Sequence, residues 1–332
     1  MKTLTEKQLK DKIAVYKKDL DLMKSEIRKI FIGQDDMVDA LIEALLCNAH
    51  VLIEGIPGVG KTILVRTLAK TTGCSYSRIQ FTPDLLPSDI IGITTYDKNK
   101  GFTTVKGPVF ANFVLGDEIN RSPPKVQSAL LEAMAERQVT IGKESFQLES
   151  PFFVMATQNP LEQMGTYKLP EAQIDRFLYK TLMKYPTADE EFKILDNNLT
   201  ISNFDDFNVK KVLSPKKIVE LQELTKQVFV DNKVKEYIIR LVDASRRPKK
   251  YGLKLADYID YGGSPRASIG LLMASKAKAL VNDEIRVTPD HVKQAARNVF
   301  RHRIIINFEG QAEGISTDQV IEDLLSKVNI IQ

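Results

Sequence analysis

Three short strings in this chain carry side chains of the type and spacing that phosphate chemistry needs. The first, Gly55-Ile56-Pro57-Gly58-Val59-Gly60-Lys61-Thr62, follows an apolar run from His50 to Ile53 and precedes helical periodicity at Ile63, Leu64 and Leu68. Glycines so spaced let backbone N–H groups turn inward around an anion, and the helix that follows presents its positive N-terminus to it. Gly55, Pro57, Gly58, Val59, Gly60, Lys61, Thr62 and Ile63 are therefore expected to cradle ATP, with Lys61 neutralising the β- and γ-phosphates and Thr62 ligating Mg²⁺. Such a loop does not separate a hydrolase from a kinase or a switch.

The second string, Phe113-Val114-Leu115-Gly116-Asp117-Glu118, reads as an apolar strand ending in two adjacent carboxylates. Residues alternate across a strand, so the two acids are expected to point differently at its C-terminal edge. Asp117 then holds hydrated Mg²⁺, while Glu118 orients and polarises the attacking water of an in-line transfer. An Asp-Glu pair alone can equally open a solvated loop; the phosphate loop upstream favours the chemical reading. The third string, Ala156-Thr157-Gln158-Asn159-Pro160, closes another apolar run at the sheet edge where α/β proteins bind ligands. Asn159 there could position the water from the far side, although an isolated Asn-Pro is otherwise a turn.

The elements that must carry these residues are visible in the hydrophobic pattern. Leu20, Met23, Ile27 and Ile30, then Val38, Leu41, Ile42 and Leu45, recur at helical spacing on either side of a break at Ile32, Gly33 and Gln34. Short apolar runs at Tyr76 to Phe81, Phe113 to Leu115, Phe152 to Ala156 and Phe177 to Leu182 alternate with helical stretches such as Lys125 to Glu136. That alternation predicts an α/β fold, a parallel sheet covered by helices on both faces. Ile93 to Lys106, folding at Lys98 to Gly101, and Gln138 to Leu148, folding around Gly142, read as β-hairpins that interrupt it. After Pro186 the pattern is helical throughout. We expect a core at 1–186 and a small all-α lid domain at 187–332, whose last helix begins at Ser316 or Thr317.

Composition narrows the class further. The 332 residues, 43% hydrophobic and 27% charged, match an ordinary globular protein of two domains. Forty-seven basic against 43 acidic side chains leave a net charge of +4, which lacks the concentrated basic footprint of a nucleic-acid binder. The one basic cluster, Arg246, Arg247, Lys249 and Lys250, is broken by Pro248 and reads as a solvated helix end. Two cysteines, Cys47 and Cys74, give no zinc site or disulfide framework. The N-terminal stretch lacks the apolar core of a signal peptide, and Glu43 and Glu54 interrupt the best apolar run. A soluble, cytoplasmic protein in a reducing compartment is expected.

The strings taken together resemble the MoxR family of AAA+ ATPases. The resemblance rests on Gly55 to Thr62, Asp117-Glu118-Ile119-Asn120-Arg121, Thr157 to Pro160, Glu171-Ala172-Gln173-Ile174-Asp175-Arg176-Phe177 and Gly263-Ser264-Pro265-Arg266, in family order across most of the chain. It continues through Arg301-His302-Arg303 to Gly314; Gly116, where alanine is more usual, is a small departure. It implies an αβα nucleotide-binding domain followed by a helical lid, with ATP bound between them and subunits in a ring of six. The hairpins then correspond to a helix-two insert and a pre-sensor hairpin. Asn159 looks like the first sensor, Arg266 like the second, contacting the γ-phosphate from the lid, and Arg176 like an arginine finger given to the neighbour's ATP. Ser264 and Pro265 are a good cap and a good first helical residue, which would make the first turn around Arg266 rigid. Ile32, Gly33 and Gln34 resemble the segment that lies against adenine, although Gly-Gln before a helix is also an ordinary turn.

The resemblance further implies a chaperone-like motor acting on a protein client, with a partner carrying a von Willebrand factor A domain. A metal-chelatase motor subunit and a nucleic-acid-remodelling ATPase are the competing readings. Lys61→Ala is expected to abolish tight ATP binding, because it removes a point charge from a partly desolvated phosphate site. Equilibrium titration with nucleotide checks this, and unchanged affinity would overturn the phosphate-loop assignment.

Overall fold

Strands too apolar to face water alternate with helices that have one apolar stripe, and the chain between residues 51 and 183 folds as a sheet covered by helices. The computed structural model describes residues 4–55, 60–99, 101–159, 165–198 and 204–330. Two helices come first. Helix α1 (Glu6–Arg28) is started by a reciprocal cap between Thr5 and Gln8, and α2 (Asp35–Leu46) has two acids in its first turn, where the helix dipole favours them.

The central elements follow as β1 (Val51–Gly55), α3 (Lys61–Thr72), β2 (Tyr76–Gln80), α4 (Pro87–Ile91), β3 (Gly92–Asp97), β4 (Gly101–Lys106), β5 (Phe113–Asp117), α5 (Pro124–Glu136), β6 (Gln138–Ile141), β7 (Glu144–Gln147), β8 (Phe153–Gln158), α6 (Glu171–Ile174) and β9 (Tyr179–Met183). Five strands form one sheet in the order β2-β5-β8-β1-β9, and every neighbouring pair is parallel. All strands therefore point one way. One edge collects Gln80, Asp117, Gln158, Gly55 and Met183 at the C-terminal ends; the opposite edge collects Val51, Phe113, Phe153 and Tyr179.

Both expected hairpins are present, β3 with β4 and β6 with β7. They lean on one another. Lys106 lies over the rings of Phe110 and Phe146, 4.9 and 5.5 Å from their centroids, and those two rings meet edge to face at 6.2 Å. At the far end of the first hairpin Tyr96 packs edge-on against its cross-strand partner Phe102, and both are exposed, at 68% and 79%.

The remainder is α7 (Ala188–Asn198), α8 (Pro215–Gln227), α9 (Asn232–Arg246), β10 (Ile259–Tyr261), α10 (Pro265–Val281), α11 (Pro289–Phe300), β11 (Ile305–Ile306), α12 (Phe308–Ala312) and α13 (Thr317–Lys327). Ser214, Asp231, Ser264 and Ser316 cap α8, α9, α10 and α13 with their side chains. The lid differs from the all-helical expectation in one antiparallel pair, β10 with β11, whose three and two residues are too short to show a period in the sequence. The basic cluster after α9 is ion-paired: Arg247 and Lys250 reach Asp243, and Lys249 reaches Asp257. Among the described residues no helix is long and apolar enough to cross a membrane.

The two N-terminal helices, expected to belong with the sheet, also fasten the lid. Tyr16 on α1 donates to Glu220 of α8 at 2.6 Å, and Gln222 of α8 donates to the Leu45 carbonyl at the end of α2. Deeper still, Glu43 of α2 is 3% exposed and takes Lys278 of α10 at 2.9 Å and the Tyr179 hydroxyl of β9 at 2.8 Å. Burial raises its pKa and the Lys278 charge opposes that rise. Lys278→Ala, which leaves the carboxylate unpaired, is expected to destabilise the fold by about 3 to 5 kcal/mol, with part of the loss recovered by adding Glu43→Gln. Denaturant midpoints decide; a Lys278→Ala protein as stable as the parent would show that this contact does not fasten the lid.

Candidate active site

The C-terminal edge of the sheet gathers the first three strings. Strand β1 ends at Gly55; Pro57, Gly58 and Val59 lie outside the described residues, and the chain resumes at Gly60, which precedes α3 with φ +85°, a left-handed conformation that glycine adopts without strain. The Phe31 ring lies against Gly60, since a Cβ built there would sit 3.5 Å from the ring. Lys61, Thr62 and Ile63 form the first turn of α3. The Lys61 ammonium donates to the Gly55 carbonyl, and burial lowers its pKa while the charges of Asp117 and Glu118 pull the other way. A half-buried ammonium at a helix N-terminus, near two carboxylates, is suited to receive an anion and a counter-cation together.

Strand β5 stops at Asp117, and Glu118 turns into the left-handed region at φ +57° before a 3-10 turn over Ile119–Arg121. Glu118 therefore leaves the strand geometry that Asp117 still has. Thr157, fully buried on β8, ties the turn together: its hydroxyl accepts from the Glu118 N–H at 2.8 Å and donates to Asp117 Oδ1 at 2.7 Å. Sequence reasoning quoted Thr157 but gave it no task; only the β5-β8 pairing reveals it. Gly116 is also more constrained than its small size implied, because a Cβ there would meet Leu130 Cδ2 at 2.9 Å, so an alanine would displace that methyl.

Two residues of β2 went unnoticed in the sequence and complete the arrangement. Arg78 donates to Asp117 Oδ2 through Nη2 at 2.6 Å and Nε at 3.2 Å, and to Gln80 Oε1 at 2.7 Å. The Gln80 amide donates to Glu118 Oε2 at 3.0 Å, an oxygen that also takes Arg121 Nη1 at 3.0 Å. Asn159, just past β8, is 5% exposed. Across the same edge Gly33 and Gln34 both have positive φ, and the Gln34 side chain accepts from the Lys184 N–H just beyond β9, which places Gln34 at the C-terminal end of the strand that pairs with β1.

The arginines lie elsewhere. Arg176 and Arg266 line a cavity of about 280 Å³ together with His50, Met134 and Leu178. His50 directly precedes β1 and Leu178 directly precedes β9, so this cavity is at the N-terminal ends of strands whose C-terminal ends hold the phosphate loop. Arg266, expected to contact the γ-phosphate from the lid, stands at this end of the sheet beside Arg176. Asp175 organises the region. Its Oδ1 takes Arg303 at 2.7 Å, its Oδ2 takes the Ser264 hydroxyl at 2.8 Å, and Arg266 stands 3.9 Å away.

Arg303, almost fully buried, donates further to the carbonyls of Phe177, Leu178 and Val299, so it clamps the segment before β9 to α11. Burial lowers its pKa, and the Asp175 carboxylate offsets this. Arg176 itself donates to the Leu131 carbonyl of α5 at 3.0 Å. His50, wholly buried, accepts from the Val154 N–H and contacts the Met134 carbonyl; burial takes its pKa down to about 3, so it is a neutral structural ring.

A parallel sheet with a phosphate loop after β1, an acidic pair at the end of β5 and a helical lid defines an AAA-type ATPase. The family described as ATPase family associated with various cellular activities (AAA) matches residues 50–179, and the AAA lid domain matches residues 255–324. Chaperone MoxR1 of Mycobacterium tuberculosis is 44% identical over 92% of this chain and 81% of its own length, and protein MoxR of Methylorubrum extorquens is 27% identical over 91% of each. A crystal structure from Cytophaga hutchinsonii superposes with a TM-score of 0.92 at 46% identity, covering 98% of this chain and 99% of that one. The chain belongs to the MoxR family of AAA+ ATPases.

The Thr157 bridge yields a test of the site's architecture. Thr157→Val keeps the shape but leaves the Glu118 N–H and Asp117 Oδ1 without their partner, at an expected cost of about 1 to 3 kcal/mol. Thr157→Ser, which keeps the hydroxyl, should lose less. Urea unfolding measures both, and a valine variant more stable than the serine variant would overturn the bridge.

Proposed function

We propose that this ATPase hydrolyses Mg²⁺-ATP in sites shared between neighbouring subunits of a six-membered ring, and that turnover drives a chaperone-like motor on a protein client. One observation carries the shared site: Arg176 and Arg266 stand at the end of the sheet opposite the phosphate loop, so the ATP they serve is a neighbour's. The chaperone role is supported by the likeness to Chaperone MoxR1, and a von Willebrand factor A partner by the resemblance of the motifs to MoxR proteins.

Lys61 binds the β- and γ-phosphates together with Gly55, Pro57, Gly58, Val59, Gly60 and Ile63 of the loop, and Ile32, Gly33 and Gln34 lie against adenine. Thr62 and Asp117 offer the hard oxygen donors that Mg²⁺ prefers, and the bound ion would neutralise charge across the phosphate oxygens. Glu118 orients and polarises the attacking water from its left-handed turn, where Gln80 and Arg121 hold its carboxylate. Asn159 positions that water from the next strand. Arg176, held by the Leu131 carbonyl, and Arg266, beside Asp175, stabilise charge developing on the γ-phosphoryl group of the adjoining subunit's ATP.

Mixing subunits tests the reading. Arg176→Ala should leave nucleotide binding intact and cut turnover by about 10³ or more. Adding Lys61→Ala subunits, dead in their own site but with intact arginines, should restore activity to the Arg176→Ala subunits. Mixed rings that demonstrably form yet stay inactive would remove the trans role.

A further inference from the structure

Asp117 is the carboxylate assigned above to the metal, and both its oxygens are already engaged. Thr157 holds Oδ1 from inside the sheet, and Arg78 covers Oδ2 with two donors from the solvent side. The pair is not an incidental surface bridge, because of where Arg78 comes from. Its backbone is opposite Leu115 in the β2-β5 register, two residues short of Asp117, which lies opposite Gln80. The guanidinium therefore reaches forward along the strand to cap the carboxylate, and its side chain is about half exposed, with solvent to retract into. Arg78 and Gln80 project from the same face of β2, as residues two apart do. The Nη2 on Asp117 also bonds Gln80, whose amide holds Glu118. One side chain thus covers the metal-side oxygen of Asp117 and, through one amide, restrains Glu118.

We propose that Arg78 is a positioning residue that gates the divalent cation: it neutralises Asp117 until the cation arrives, and it withdraws as the cation takes that oxygen. The electrostatics require the exchange. Asp117 already feels the Lys61 charge, and a dication beside an unmoved guanidinium would meet a like charge within hydrogen-bond distance of the same oxygen. The released guanidinium returns to water, where an arginine is stable, so the cation competes with a single exposed ion pair and displaces it at modest cost.

The inference rests on Asp117 being the metal-side carboxylate, and binding experiments separate the two ideas without reference to turnover. Fluorescent N-methylanthraniloyl-ADP is titrated onto the full chain at increasing MgCl₂, and again in EDTA. For Arg78→Ala, and for Arg78→Gln, which keeps more of the stem, the Mg²⁺ concentration giving half-maximal enhancement of binding should fall about fivefold. Arg78→Lys, which keeps the charge, should stay within about twofold of the parent. Affinity in EDTA should be unchanged in all three. A half-maximal concentration that is unchanged or raised in both neutral variants overturns the gate while leaving Asp117 as the metal-side residue. Parent protein whose nucleotide affinity ignores Mg²⁺ would overturn both.

Discussion

The parallel pairing of β1 with β8 on one side and β9 on the other is the constraint from which the rest follows. Parallel strands put all their C-terminal ends at one edge, so a loop after β1, an acid pair after β5 and an amide after β8 converge without any long-range design. The same geometry forces whatever precedes those strands to the far edge. His50 and Leu178 are there, and the segment leading into β9 brings Arg176 with it. A single strand of five residues therefore has the start of the phosphate loop at one end and arginines at the other.

Asp175 and Arg303 convert that layout into a fixed face. The guanidinium binds the backbone on both sides of Phe177 as well as the carboxylate, and the carboxylate reaches on to Ser264 at the start of α10. Arg303 and Arg266, on different elements, thereby share one carboxylate. The lid is joined to the sheet here and also at Glu43, so a change in lid angle has to be accommodated around two buried ion pairs.

How much of this was legible depended on whether the signal was local. The phosphate loop and the Asp117-Glu118 pair are short patterns with local causes, as are the hairpin glycines and the cap residues Ser264 and Ser316, which the structure places as read. The β5-β2 adjacency is not local, and without it Arg78 and Gln80 are merely polar residues of an edge strand. The side of the sheet that Arg266 faces depends on how the lid is seated, which no spacing encodes. Arg303 sits in a run of charges that reads as surface, and its burial follows only from α11 docking against β9. The left-handed turn at Glu118 is likewise invisible, because a glutamate gives no cue for positive φ.

The first hairpin leaves both of its long edges outside the main sheet, with Ile93, Tyr96, Phe102 and Val105 exposed along it. Unpaired N–H and C=O groups flanked by apolar side chains make a template on which another extended segment can align. For a lone subunit in solution that ribbon is a liability toward self-association, blunted only by its shortness, its threonines and Lys98 and Lys106 at its ends. Lys106 and Phe146 join its base to the second hairpin, while Tyr96 and Phe102 at its far end stay open to solvent, so its stickiness is maintained rather than hidden.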